Sequence, residues 1–450
     1  LQANFRKRLL LVTAAAALFV SLLPPVSAPS MAAADAATAP SAESRAVSEQ
    51  QSYGIVVIGD SVAAGYQQGF TEQSVPYGYG EHVYEQALLR GLRAEYGNYG
   101  MIGLTSAGLG KWLKAAEAGR MPSVADIQPG IADPRAEALL GQTGKLAADL
   151  RNAELILINI GGNDFLSLLR MLGTEKEYSG LTADERTELD EELAAVLESY
   201  EAELASILQT LQAMNPDAEV VVANQYLPIP SARIGGKVTY YFPESSLQFV
   251  KEGQRELAGR LDAVAGRFRS EGFSVAIADA ASVIEADANK YTAILREDIH
   301  PTALGYAELG KAYGKLLWGE YRTLKPKAEG VPISVVVNGR ELDSPYPPVL
   351  RNGRTFLPIR DITDAVGAEL TWDAATNTAS VQLDGRKVDI AVGASTIAVN
   401  GEPIPLEADP AYFEWVGKEK KTYVPIAALT DGLGFQVVYR GTLKAAIING

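Results

Sequence analysis

The chain contains no cysteine. Disulfide bonds, thiolate nucleophiles and cysteine-based zinc sites are therefore excluded. Histidine is nearly as scarce, with two in 450 residues, His82 and His300. A multi-histidine metal centre is excluded, and any imidazole base must be one of these two. Positive charge is in deficit, with 40 Lys and Arg against 55 Asp and Glu and a formal net charge of −15. Neither nucleic acid nor an anionic membrane would be attracted to such a surface. Long apolar runs are few. The one at 9–23 follows Arg6-Lys7-Arg8, precedes Pro24, Pro25 and a stretch of small residues, and is short for a membrane span. That order of regions predicts a signal peptide over residues 1–34 and a secreted product. Ala32-Ala33-Ala34 is the expected cleavage site, and a flexible leader follows over 35–50.

What remains is globular in composition, 47% apolar and 21% charged, and long enough for two or three domains. Strand-like runs at 55–58, 94–99, 155–160, 220–224 and 275–278 alternate with helical patterns. The helical patterns lie at 79–90, 134–151, 183–214, 245–269 and 302–321. Such alternation predicts an α/β domain over 51–324, with a parallel sheet covered by helices on both faces. Two long connections, 165–182 and 227–242, follow strand ends. The second region carries Tyr226, Tyr240, Tyr241 and Phe242, and both are candidate substrate walls or lids.

Residues 325–331 read as a linker. From 332 to 450 the texture changes to short β-like runs, and an internal repeat is visible. Asn338-Gly339 recurs as Asn400-Gly401, and each half reads as a hairpin, a short helix and a second hairpin. The expectation is a small β-rich α+β repeat domain. It contains no histidine or cysteine.

Four stretches carry chemistry-bearing residues to strand ends or helix starts. The first, Gly59-Asp60-Ser61, closes a buried strand and places Ser61 near the N-terminus of the next helix. By itself such a stretch is more often an ordinary turn or helix cap. The second, Asn98-Tyr99-Gly100-Met101-Ile102-Gly103, is a glycine-rich turn able to point an N–H outward. The third, Gly161-Gly162-Asn163-Asp164, presents an amide after the third strand. The fourth, Glu297-Asp298-Ile299-His300-Pro301, holds a histidine just outside the last helix. Together they supply a nucleophile, oxyanion donors, a base and a carboxylate to orient it, the set that acyl transfer requires. Glu297 is favoured as the orienting carboxylate by its spacing, with Asp298 the alternative. His82, beside Glu81 in a helical pattern, reads as structural.

These four blocks, in this order, resemble the SGNH or GDSL-type serine hydrolases. The resemblance covers residues 53–321 and implies a flavodoxin-like five-stranded parallel sheet and ester chemistry with no cofactor and no metal. It implies Ser61 as nucleophile, His300 as base, Glu297 or Asp298 as its orienter, and an oxyanion hole made by Ser61, Gly103 and Asn163. The family usually has Asp three residues before the histidine, where this chain has Glu297. Residues 332–450 resemble the paired stalk-like repeats called copper amine oxidase N-terminal-like domains in secreted Gram-positive proteins. Without histidine the copper does not carry over, and a spacer or a cell-wall or glycan contact is the implied role. The substrate implied is an acylated small molecule, lipid or glycan. Two other readings use the same residues differently: a polysaccharide O-acetyl esterase or acyltransferase, and a non-catalytic wall- or glycan-binding protein.

Overall fold

The structure is a computed structural model that describes residues 52–172, 177–234, 237–240 and 242–450. The expected signal peptide and leader, and Tyr241, lie outside the described residues. Five strands form one sheet: β1 (Tyr53–Gly59), β2 (Ala94–Gly100), β3 (Ala153–Asn159), β4 (Glu219–Ala223) and β5 (Val275–Ala278). They are parallel and ordered β2-β1-β3-β4-β5. That is the flavodoxin-like order, with a crevice at the carboxyl ends of β1 and β3 where the order reverses. The central strands are buried on both sides. Ile55, Val56, Val57 and Ile58 are all buried, as are Leu155 through Ile158. Successive residues point to opposite faces, so a strand covered on both reads as an unbroken apolar run.

The longer helices of this region are α1 (Tyr79–Leu88), α2 (Ser106–Glu117), α3 (Thr143–Arg151), α4 (Ala183–Met214), α5 (Glu244–Ser270) and α6 (Ala303–Trp318). The 32-residue α4 starts with a capping box, in which the Thr182 side chain accepts from Glu185 N and Glu185 accepts from Thr182 N. It stops at Asn215, whose amide donates to the Leu150 and Ala153 carbonyls at 3.0 and 2.8 Å. The pattern at 134–151 is not one helix but two, Ala136–Leu140 and α3. The break falls at Gly141, and the Thr143 hydroxyl donates back to the Leu140 carbonyl. No helix among the described residues is long and apolar enough to cross a membrane.

The chain forms two compact units that do not follow chain order. Residues 56–80 and 97–312 belong to the first; residues 52–55, 81–96 and 313–450 make the second. In the C-terminal region each half has two hairpins, a helix and a further hairpin. The helices are Ile359–Val366 and Ile426–Gly432. Asn338-Gly339 and Asn400-Gly401 both hold positive φ at both residues, as a two-residue hairpin turn of the primed type requires. The halves share their sheets. Strand Ala445–Asn449 of the second half pairs in parallel with Ser334–Val337 of the first. Strand Thr396–Val399 of the second half joins Arg386–Ala391 of the first. A single apolar core results, reaching from Ile333 to Ile448.

Candidate active site

β1 delivers the first site residue. Gly59 has φ +134°, and a Cβ there would lie 1.9 Å from the Asn159 carbonyl oxygen. Asp60 N–H donates to that same oxygen at 2.9 Å, and Met101 N–H donates to the Gly59 carbonyl at 2.9 Å. The strand end is thus pinned to β3 and to the end of β2. Residues 61–65 form a tight turn, not the start of a long helix, with Ala64 N–H on the Asp60 carbonyl and Tyr66 N–H on the Ser61 carbonyl. Gly65, at φ +70°, ends that turn. Asp60 is buried, and its Oδ1 accepts from Val62 N at 2.9 Å and from Asn159 Nδ2 at 3.0 Å. Burial pushes its carboxyl up to about 6, against the opposing pull of those hydrogen bonds and of the His300 charge.

The turn after β2 carries Gly103, at φ +81°. Its carbonyl accepts from Gln128 Nε2 at 2.9 Å, and the neighbouring Ile102 N–H is taken by Asp133 Oδ2 at 2.8 Å. Among the described residues, no acceptor takes the backbone N–H of Gly103 or of Ser61. Asn98 braces this turn against the first, donating to the Ala63 carbonyl at 3.0 Å and accepting Gly100 N–H at 2.9 Å.

After β3, Gly161 adopts φ +126°, where a Cβ would meet the buried Tyr200 ring at 2.7 Å. Asn163 Nδ2 donates to the Leu104 carbonyl at 2.9 Å. The largely buried carboxylate of Asp164 accepts from Ser106 N–H and from the Ser106 hydroxyl, the latter at 2.5 Å, tying this loop to the first turn of α2. Burial raises the Asp164 carboxyl, partly offset by the two Ser106 bonds.

The fourth stretch completes the arrangement. His300 Nε2 lies 2.8 Å from Ser61 Oγ, and its Nδ1 lies 2.5 Å from Asp298 Oδ1. The same oxygen accepts His300 N–H at 3.0 Å. Burial alone would raise the Asp298 carboxyl. The bond from the His300 ring, the electrostatic pull between the two side chains and the backbone bond outweigh burial and hold it below its ordinary value. The expectation that Glu297 orients the histidine is thereby corrected: the Nδ1 partner is Asp298. Glu297 sits at φ +66°, closing the 3₁₀ turn Ile294–Arg296. A left-handed residue redirects the chain, so sequence spacing counted through it no longer says which carboxylate faces the ring.

Ser61, Asn163, Asp298 and His300 therefore come together, with Gly103 on the turn whose Leu104 carbonyl bonds Asn163. His82 is buried, with Nδ1 3.3 Å from the Tyr321 hydroxyl. Sequence reasoning missed Tyr66, whose ring centroid is 4.3 Å from that of His300. An aromatic five residues after a serine carries no signal of its own. It also gave Tyr226 no specific role; its hydroxyl donates to the Ile299 carbonyl at 3.1 Å, beside the histidine.

An apolar cavity of about 160 Å³ opens at Ser61, Asn163 and His300. Phe165, Leu168, Leu227 and Pro228 line it, so both long connections contribute walls. Tyr226 lines it too, whereas Tyr240 lines a separate, more polar cavity with Lys251 and Glu285. Phe242 packs on the main core.

Residues 57–308 match the family model GDSL-like Lipase/Acylhydrolase, and residues 336–448 match the Copper amine oxidase N-terminal domain. Among solved structures, the chain is similar to an extracellular lipase from Streptomyces rimosus at 16% identity and TM-score 0.36, covering 60% of this chain and 100% of that one. It is similar to a phospholipase A1 from Streptomyces albidoflavus at 17% identity and TM-score 0.36, covering 60% and 99%. It is also similar to an acetyl-xylooligosaccharide esterase from Geobacillus at 14% identity and TM-score 0.35, covering 61% and 98%. Comparison with curated proteins returns no match. With the family model spanning more than half of its residues, the chain belongs to the GDSL-like lipase/acylhydrolase family and is a serine hydrolase acting on esters.

Proposed function

We propose that this protein is a secreted carboxylesterase working through Ser61, His300 and Asp298. The observation that carries the reading is the chain of contacts from Ser61 Oγ to His300 Nε2 at 2.8 Å and from His300 Nδ1 to Asp298 at 2.5 Å. With Nδ1–H donated to Asp298, Nε2 carries a lone pair and takes the serine proton as Oγ attacks the ester carbonyl. The carbonyl oxygen becomes an oxyanion. The Ser61 and Gly103 N–H groups and the Asn163 amide donate to it. Nε2–H then protonates the leaving alcohol as its C–O bond breaks, which leaves an acyl-serine. Water attacks the acyl-serine, gives its proton to Nε2, and the acid departs as the proton returns to Oγ. Export rests on the basic, apolar and small-residue order at the N-terminus. A cell-wall contact through residues 332–450 rests on the stalk-like repeat alone.

The test is hydrolysis of nitrophenyl esters by the full chain. Ser61→Ala should abolish turnover and fluorophosphonate labelling. Asp298→Asn should lower kcat on the order of 10³–10⁴-fold by fixing the wrong tautomer, and Asn163→Ala on the order of 10²–10³-fold. Glu297→Gln should stay within about threefold of the parent, since conservative changes at positions outside the reacting set remove no transition-state contact. A large loss in Glu297→Gln with an active Asp298→Asn would reverse the assignment. Absence of both turnover and labelling in the parent would remove the esterase reading.

A further inference from the structure

We infer that the cavity beside Ser61 selects a medium-length acyl chain of about six carbons, and that Gly253 on α5, facing Leu193 on α4, sets its depth. This rests on the proposed esterase reading and adds the acyl specificity to it.

Three observations carry the inference. First, the wall is mostly apolar: Leu168, Leu193, Phe249, Val250 and Leu257 line it. Second, the polar side chains in the wall already donate to protein acceptors. Gln225 Nε2 donates to the Ile160 carbonyl at 2.9 Å. Gln254 Nε2 donates to the Gln225 carbonyl at 2.8 Å and to Glu285 at 2.6 Å. The Tyr226 hydroxyl donates to the Ile299 carbonyl. A sugar entering the cavity would find few donors for its oxygens, and a hydrocarbon chain would need none. The cavity therefore takes the acyl half of the ester, not a sugar alcohol. Third, the cavity measures about 160 Å³. An apolar cavity of about 150 Å³ accommodates benzene, a six-carbon guest. An acetyl group would leave most of the space empty, and a long fatty chain would project beyond it.

Gly253 is where the depth is decided. A Cβ placed there would approach Leu193 Cδ1 to 3.0 Å and Cδ2 to 3.4 Å. The missing side chain is therefore what lets Leu193 pack this closely against α5, and both residues line the cavity. A larger residue at 253 would displace Leu193 and narrow the cavity; shortening Leu193 would extend it.

The experiment uses the full chain and nitrophenyl esters from acetyl to dodecanoyl. Each methylene that enters an apolar site improves binding about fourfold. The wild-type kcat/KM should therefore rise on the order of a hundredfold from acetyl to hexanoyl and fall again by decanoyl. Gly253→Val should cut the hexanoyl-to-acetyl ratio of kcat/KM at least about tenfold, the smaller end of what one misplaced methylene group does in a pocket. Leu193→Ala should move the optimum to longer chains, and it decides the matter if Gly253→Val does not fold. A wild-type ratio near one, or ratios unchanged in both variants, overturns the inference while Ser61-dependent hydrolysis upholds the esterase. If no ester is cleaved and fluorophosphonate leaves Ser61 unlabelled, the esterase reading fails by itself. Binding of hexanoate against acetate, measured by calorimetry on wild type and both variants, then decides the cavity. Preference for hexanoate that is lost in Gly253→Val upholds it, and equal binding of the two acids overturns it.

Discussion

Asp60 shows how much one side chain beside the nucleophile weighs on the whole fold. Folding moves its carboxyl from 3.8 to about 6, chiefly by burial. Between those values the folded chain holds a proton that the unfolded chain has released. A carboxyl raised in this way favours folding at low pH and loses that advantage as pH climbs. Stability contributed by Asp60 is therefore full below about pH 4, falls as pH rises toward 6, and stays about 3 kcal/mol lower above that. Asp60→Asn keeps a carbonyl oxygen for the Val62 N–H and the Asn159 amide but has no charge to desolvate. It should equal the parent near pH 4 and exceed it by up to about 3 kcal/mol at pH 7.5 in urea unfolding. A difference that does not change with pH would mean that Asp60 ionises in the folded protein without penalty. Asp298 works in the opposite direction. Its carboxyl is held below the ordinary value once the His300 bonds have overcome burial, so its contribution is present above the unfolded value and is lost as pH falls through the folded one.

At the scale of elements, the site is made by strand ends that approach too closely for side chains. Gly59 is the sharpest case, with φ +134° and the Asn159 carbonyl 1.9 Å from where a Cβ would stand. Neither the backbone nor the β3 carbonyl can yield without moving Asp60 and Ser61. Gly59→Ala should lower stability by more than about 3 kcal/mol in chemical denaturation, because strain and a backbone clash add. A loss under about 1 kcal/mol would show that the β1–β3 crevice relaxes freely. Such glycines also explain what could be read from sequence. All five strands were legible: β1, β3 and β4 because burial on both faces leaves an unbroken apolar run, and β2 in spite of its exposed Glu95. The four site stretches were legible because each ends a strand with turn residues and one chemical group. Helix α2 was not. Gly108 and Gly110 interrupt its helical pattern, and both are buried, with Cβ positions 2.7 Å from Gln128 Oε1 and 2.9 Å from Glu203 Oε2. Nor was the hairpin Ser231–Ile234 with Lys237–Tyr240 legible inside the second long connection. The choice between Glu297 and Asp298 depended on one left-handed residue, which residue spacing does not record.

At the scale of the whole molecule, the repeat region is more than a string of two modules. Its halves exchange strands, so Ser334–Val337 lies beside Ala445–Asn449 and the two ends of the region close one core. Within the second compact unit this closure also reaches residues 81–96. Asn449, buried at the end of the last strand, donates to the Leu88 and Leu92 carbonyls at 3.0 and 2.8 Å. Gln436 Nε2 donates to the Ala94 carbonyl at 2.8 Å. The first Asn-Gly turn packs there against backbone: a Cβ on Gly339 would meet the Arg90 carbonyl carbon at 2.8 Å, and one on Gly91 would meet the Asn338 carbonyl carbon at 2.9 Å. The internal repeat supplies its own control. Gly401 occupies the equivalent turn, also at positive φ, with nothing within 4 Å of its Cβ position. Both glycines pay the same kind of conformational penalty when changed to alanine, about 1 kcal/mol. Only Gly339 adds a clash with another backbone segment. Gly339→Ala should therefore lower stability by at least about 1–2 kcal/mol more than Gly401→Ala, the scale at which overpacking is felt. Paired urea unfolding of the two variants measures that difference directly. Equal losses would mean that residues 90–91 and the first turn do not hold each other in place. In that case the repeats would act as an appended spacer, and the hydrolase would not need them to fold.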